Sequence, residues 1–327
     1  MIIRPRQSAT RRLDGSRRPA RPGQRPGGGR GYPRGGACGI LSAMNQVEIQ
    51  LPANCRGRFP FRLGTTSFIV PDDYLPNVRG LAPWFDEIEL LFFEAGEDVP
   101  PPSLVDGLAA ARHELGIGYN VHLPVDLPLC DENGAVRRRA AGRMGRIIKA
   151  LSSLEASTAT LHLGIGDAQR SPSARRRWQA HAAEAAARIL EVSGLEGRRI
   201  SLETLDYPLE WLADAIEALD LGVCLDFGHL ALSGTDWTAS YRRWAARCDI
   251  LHLHAVRGGR DHHPLDCLEP GEGARVRDIL AEFTGTVSLE VFSLPALQRS
   301  VAWLARVDAE DRRPAVDGET LEPNKER

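Results

Sequence analysis

Lysine is almost absent from this chain: Lys149 and Lys325 are its only two, and arginine supplies the rest of its 41 basic residues. Also missing is any apolar run near the ~20 residues that cross a bilayer. Arginine pairs near the N-terminus are not followed by an apolar segment of signal-peptide length. The expectation is therefore a soluble, cytoplasmic protein without a membrane partner. Cysteine is sparse and irregular. Cys38, Cys55, Cys130, Cys224, Cys248 and Cys267 form no CxxC pair and keep no regular spacing. That argues against a disulfide framework and for free thiols in a reducing compartment. No GxGxxG opens a strand–helix unit, so the dinucleotide fingerprint is missing. No GxSxG marks a serine nucleophile elbow.

What charge there is lies unevenly. Residues 1–36 hold ten arginines against one acid, Asp14, a balance of +9; the remaining 31 basic and 42 acidic residues carry −11. An acidic, lysine-poor body repels nucleic-acid backbones, so nucleic acid is not expected as a partner of the body. Residues 1–58 are rich in Gly, Pro and Arg and poor in large apolar groups. They read as a disordered, low-complexity basic extension, because too little apolar surface is available to offset the entropy of ordering. An upstream extension of a natural start near Met44 accounts for it; the other reading is a segment that binds RNA or anionic surfaces.

From Arg62 onward, strand-like and helix-like runs alternate. The strands are expected at 62–69, 87–93, 117–123, 158–163, 199–204, 222–226, 249–254 and 286–292, each short, apolar and bounded by turn residues. Helical patterns fall between them, for example at 102–115, 134–155, 173–192, 208–219 and 295–306. In the third of these Trp178, Ala182, Ala185, Ile189 and Val192 share one face, and Arg176, Glu184, Arg188 and Glu191 the other. Strand interiors that are apolar throughout imply parallel strands covered on both sides. Eight such units predict an α/β fold, a single (β/α)₈ TIM barrel over 59–307, with 308–327 as a polar tail.

The chemistry-bearing residues sit at the ends of those strands, where such a barrel places its active site. They are His122 (YNVHLP), His162 (TLHLG), Glu203 (ISLETL), Asp226 and His229 (CLDFGH), His252 or His254 (ILHLHA), Asp261 and His263 (RDHH), and Glu290 (VSLEVF). A carboxylate late in an apolar strand costs several kcal/mol unless a cation or donors compensate, and no lysine lies near Glu203 or Glu290. Asp226 ends its strand, Gly228 permits a sharp turn, and His229 follows from the loop. His252 and His254, two apart in a strand, share a face. One is expected to bind metal while the other lines or supports the pocket. Nine ligands exceed the three to five protein groups one ion uses. Two or three divalent ions, bridged by a carboxylate such as Glu203, are therefore expected. Zinc suits the ligand set best, with manganese and iron as alternatives. Such clusters suit phosphoryl chemistry. Glu203 is the expected bridging ligand, and Glu290 a ligand able to accept the proton of the attacking water.

The order His, His, Glu, Asp-x-x-His, His, Asp-x-His, Glu, with Gly271-Glu272-Gly273 following the Asp-x-His loop, resembles the endonuclease IV branch of the xylose isomerase-like TIM barrels. The resemblance covers about residues 60–305. It implies that His122, His162 and Glu203 hold a first ion and that Glu203 bridges to a second on Asp226, His252 and Glu290. It implies a third ion on His229, Asp261 and His263. Where the family has an x-polar-Asp sequence after the seventh-strand ligand, this chain has His252-Leu-His254-Ala-Val, which leaves His252 and His254 both open. The segments Arg62-Leu-Gly-Thr-Thr-Ser67, Leu75-Pro-Asn-Val-Arg79, Glu87-Ile-Glu-Leu-Leu-Phe-Phe-Glu94 and Tyr119-Asn-Val-His-Leu-Pro124 are similar to a narrower family, the cobamide-remodelling phosphodiesterases. That resemblance implies a corrinoid substrate, with hydrolysis of its nucleotide-loop phosphodiester to cobinamide phosphate and a riboside. A sugar or polyol isomerase or epimerase, and an abasic-site endonuclease, are the other activities the ligand order allows.

Overall fold

Eight short strands, nearly all their residues buried, close on themselves. The computed structural model describes residues 48–96 and 99–311. Its strands are β1 (Arg62–Thr66), β2 (Glu87–Leu91), β3 (Gly118–His122), β4 (Ala159–Leu161), β5 (Ile200–Glu203), β6 (Gly222–Asp226), β7 (Cys248–Leu253), β8 (Ala255–Arg257), β9 (Arg260–His263) and β10 (Thr286–Leu289). Neighbours in the barrel run β1-β10-β7-β6-β5-β4-β3-β2, and every barrel pairing is parallel. The predicted (β/α)₈ barrel is thus the fold observed. β2 and β6 are buried at every residue, as a strand between barrel interior and helix layer must be.

The intervening helices begin and end where local chemistry directs. Pro102–Leu115 starts on a proline, whose missing N–H is no loss in a first turn, and stops at Gly116 in the left-handed region (φ 60°). Asn133 caps Gly134–Ala150, and Ser171 caps Pro172–Ser193. The last of these buries Trp178, Ala182, Ala185, Ala186 and Ile189, the face predicted, with Val192 half-buried at its edge.

Two boundaries move. Of the segment assigned to the extension, residues 1–47 lie outside the described residues, but 48–58 pack on the barrel. Ile49, Leu51 and Cys55 are buried there, and the Cys55 N–H donates to the Trp84 carbonyl. Averaged composition hid these few well-placed apolar groups. The final helix, Leu294–Asp311, runs past Val307, and Asp308 pairs with Arg58 at 2.8 Å. The rest of the expected tail, 312–327, lies outside the described residues.

An antiparallel hairpin not foreseen in the sequence, β8–β9, follows β7. Its two-residue turn is Gly258-Gly259, both at positive φ (59° and 70°), the backbone that suits a hairpin's twist and that glycine adopts without strain. The barrel floor is polar. Glu87 takes hydrogen bonds from Arg62 (2.7 Å), Ser157 (3.0 Å), Thr286 (3.1 Å) and Asn120 (3.3 Å). Donors from β1, β3, β10 and the approach to β4 thus meet inside the barrel, and this carboxylate is fully compensated without a cation from outside.

Candidate metal centre

Above that floor the strand ends converge. Glu203, buried at the end of β5, presents Oε2 to His162 Nε2 at 2.5 Å and to His122 Nε2 at 3.2 Å. Its Oε1 faces His229 Nδ1 and His252 Nδ1, each at 3.4 Å. Asp226 closes β6 and caps the helix Phe227–Leu232, with Oδ1 accepting the His229 N–H at 2.6 Å. Its Oδ2 stands 3.1 Å from His254 Nε2. Glu290 follows β10 and holds Oε2 3.5 Å from His252 Nδ1 and 3.7 Å from His254 Nε2.

Three overlapping groups of possible ligands result: His122, Glu203 and His252; Glu203, Asp226, His252 and Glu290; and His254, His262 and Glu290. Within each group the ligand atoms lie within 4.8 Å of one another. Bonds of about 2.0–2.1 Å to a tetrahedral ion put neighbouring ligand atoms roughly 3.3 Å apart. The 3.2, 3.4 and 3.5 Å separations around Glu203, His252 and Glu290 match that spacing. Glu290 Oε2 and His252 Nδ1 are buried and make no hydrogen bond. Nδ1 of His122 lies 3.1 Å from the Leu123 carbonyl. It donates there, so in the neutral ring the bare Nε2 faces a carboxylate oxygen, and a cation between them resolves the clash of lone pairs. The residues fit divalent metal.

The electrostatics follow from burying four carboxylates together. Burial alone would raise the Glu203 carboxyl, but His162, His252 and His122 hold it well below the usual range. Asp226 is likewise lowered against its burial, by His254 and His229. Glu290 goes the other way. Burial and the neighbouring Asp226, Glu203 and Glu89 push it well above the carboxylate range, although His252 pulls down. Burial disfavours protonation of His229, yet Asp226 and Glu203 raise it to about 10. His252 is raised well above its ordinary value, with burial opposing and Cys224, Glu89, Glu290 and Glu203 prevailing. His262 is lowered to about 4, by burial first and then by His254.

The structure brings together His122, His162, Glu203, Asp226, His229, His252, His254 and Glu290. Both seventh-strand histidines take part, in different ways. His252 lies in the barrel interior, and His254 sits above Asp226 against the hairpin. Asp261 and His263 do not join the three groups. His262, between them, turns inward: its N–H donates to His254 Nδ1 at 2.9 Å and its Nδ1 lies 3.1 Å from the Glu290 carbonyl. Asp261 Oδ2 stands 3.8 Å from His262 Nε2, and the positive φ of His262 (55°) interrupts the regular alternation of β9. Glu89 also escaped the sequence reading. It is fully buried on β2, accepts from Ser288 Oγ at 2.5 Å, and has Oε1 2.9 Å from His252 Nε2. That contact is within ion-pair distance but off the ring N–H axis, so neither atom counts as hydrogen-bonded. The available signal was two acids two apart, Glu87 and Glu89, in a strand buried on both faces.

A closed parallel barrel carrying a buried His/carboxylate centre at its C-terminal rim defines a class of metal-binding barrels. Residues 84–307 match the xylose isomerase-like TIM barrel family, and the chain belongs to it. No protein of curated function matches the chain. Among solved structures, it is similar to an L-ribulose 3-epimerase (18% identity, 77% of this chain and 96% of that one, TM-score 0.60). A D-tagatose 3-epimerase-like protein gives 18% identity, 77% and 100% coverage, and a TM-score of 0.59. Endonuclease IV from Thermus thermophilus gives 17% identity, 75% and 99% coverage, and a TM-score of 0.56. At such identities the likeness is one of fold. Among the described residues no helix is long and apolar enough to cross a membrane.

Proposed function

We propose that this chain is a metal-dependent phosphodiesterase whose substrate is a cobamide such as adenosylcobalamin, cleaved at the nucleotide-loop phosphodiester. The carrying observation is the overlap of ligand groups. Glu203 and His252 belong to two of them and Glu290 to two, so the centre offers more donors than one ion uses. When bound, two or three divalent ions would lower the pKa of water and contact the non-bridging oxygens of a phosphate. Zinc is the ion proposed first, with manganese and iron as alternatives. Glu203, with both oxygens facing histidines, is the bridging ligand of this reading. Glu290, whose Oε2 lies 3.5 Å from His252 Nδ1 at the centre, is the group this reading assigns to take the proton of the attacking water. The corrinoid assignment rests on the sequence resemblance of strands one to three, and the acidic, lysine-poor body favours a small-molecule substrate in the cytoplasm over nucleic acid. Incubating the metal-loaded protein with adenosylcobalamin should release cobinamide phosphate and the riboside, read by liquid chromatography and mass spectrometry. Absence of cleavage by protein with a full metal complement overturns the reading.

One observation favours a second reading. The group Glu203, Asp226, His252 and Glu290 could hold a single ion by itself, as a sugar or polyol epimerase of this family would need. One ion per chain in the active form, with conversion of a ketose and no phosphodiester cleavage, would select it. Nicking of abasic duplex DNA tests the endonuclease reading.

A further inference from the structure

Aromatic residues are only 6% of the chain, and among those described just two, Phe93 (40%) and Phe292 (38%), are exposed. They meet each other: their ring centroids are 5.9 Å apart with the planes at 64°. Phe93 follows β2 and Phe292 follows β10. Half-buried Phe68, after β1, lies 6.2 Å from Phe93, and exposed Val125, after β3, donates its N–H to the Phe93 carbonyl. Four adjacent strands, β10-β1-β2-β3, thus end in one apolar rim on the face that carries the metal centre. The rim adjoins that centre on two sides, with Phe93 6.3 Å from the His122 ring and Phe292 4.7 Å from the His262 ring.

The rim side chains offer no hydrogen-bond donor. Even Tyr74, beneath Phe68, turns its hydroxyl inward to the Leu91 carbonyl at 2.6 Å, and Asp126 is taken up by the Ala95 N–H. A polyhydroxylated ring lying against Phe68, Phe93, Val125 and Phe292 would turn its hydroxyls onto apolar side chains. A flat aromatic ring would not: the face of one phenylalanine and the edge of the other form a corner into which a planar ring fits with offset and edge-to-face contacts.

We infer that Phe93 and Phe292 form a subsite for a planar aromatic ring carried on one ester arm of the phosphodiester. The inference rests on the phosphodiesterase reading for the group held beside the ring. A ligand anchored at the metal centre reaches the corner because His122 and His262 border both.

The test separates the two claims. Calorimetry on the zinc-loaded full chain compares diphenyl phosphate with dibutyl phosphate, of equal charge and similar apolar bulk but without a ring. Diphenyl phosphate should bind about tenfold more tightly. In the Phe93→Leu/Phe292→Leu double variant, which keeps apolar bulk and loses both rings, the preference should fall to within about twofold. Equal binding of the two diesters by the unaltered chain, a preference that survives in the variant, or no measurable binding of either overturns the inference. Metal-dependent hydrolysis of bis(4-nitrophenyl) phosphate is measured in parallel. Hydrolysis without ring preference removes the subsite and leaves the phosphodiesterase; ring preference without hydrolysis keeps the aromatic subsite and removes the phosphodiesterase.

Discussion

Gly228→Ala exchanges a poor helix former for the best one and should nevertheless destabilise the protein. Gly228 lies in the helix Phe227–Leu232, and a Cβ added there would stand 1.9 Å from Cε1 and 2.5 Å from Nδ1 of His254. Carbon atoms in contact prefer roughly 3.5–4.0 Å, so the ring must retreat by roughly 1.5 Å. It has little room. His254 is buried, held by Asp226 Oδ2 at 3.1 Å and by the His262 N–H at 2.9 Å, with the His262 ring centroid 4.4 Å away. Overpacking costs about 1–3 kcal/mol, and a lost hydrogen bond to a charged partner about 1.5–3 kcal/mol. Helix propensity returns about 1 kcal/mol at most. The net loss should be about 1.5–5 kcal/mol, read as a lower urea midpoint for the metal-free protein. In a His254→Ala background the clash is gone, so Gly228→Ala should become neutral or stabilising there, a coupling that a double-mutant cycle measures. Gly228→Ala that is as stable as the parent would refute the reasoning.

Glu89→Gln keeps the shape beside His252 Nε2 and removes the charge. Zinc affinity by chelator competition should fall about 10–100-fold, and unchanged affinity would show that Glu89 does not position the ring. His229 is raised to about 10 in the metal-free centre, against about 6.5 in an unfolded chain. Its stabilising contribution is complete below pH 6.5 and is lost as pH rises towards 10. The melting temperature of metal-free protein should decline over that window, and an equal decline in His229→Gln would assign it to other groups. Burial pushes Cys55 up to about 11 and Cys130 and Cys248 up to about 12. In a Cys38→Ser background, native protein at pH 8 should therefore react with a disulfide reagent at half-buried Cys267 well before these three. Simultaneous reaction of all four would contradict the packing.

Alternation of apolar runs made the barrel legible, because a strand buried on both faces leaves a continuous apolar signature and its end is punctuated by a polar ligand. His122, Glu203, Asp226 and Glu290 were found that way. The same rule hid Glu89, a mid-strand acid that looks like an error in the pattern until the ring of strands is closed and β2 faces His252. Asp261, His262 and His263 show a different limit. Which of three consecutive polar residues faces the centre depends on the hairpin, and His262 takes positive φ (55°) within it. Gly258 and Gly259 permit the turn, but which side chain of β9 meets the centre is a tertiary matter. Gly228 was correctly singled out for the wrong reason: it is helical, and what its missing Cβ provides is space for His254.

The ion pairs of Glu89, Glu203, Asp226 and Glu290 in the described structure are all with histidines. Buried carboxylates need compensating charge, so in the metal-free chain protons must supply it. His229 and His252 hold theirs well above the ordinary histidine range, and Glu290 is raised as well. A divalent ion entering among Glu203, His252 and Glu290 competes for the atoms that carry the protons of His252 and Glu290, and its charge replaces that of the His229 proton beside Glu203. Loading should therefore release protons at pH 7, more than one per ion for the first ion bound, and the affinity should rise with pH. Zinc added to metal-free protein in weakly buffered solution with a pH indicator measures the release. If no protons appear, histidines 229 and 252 are neutral before loading, and the charge balance argued for this centre is wrong.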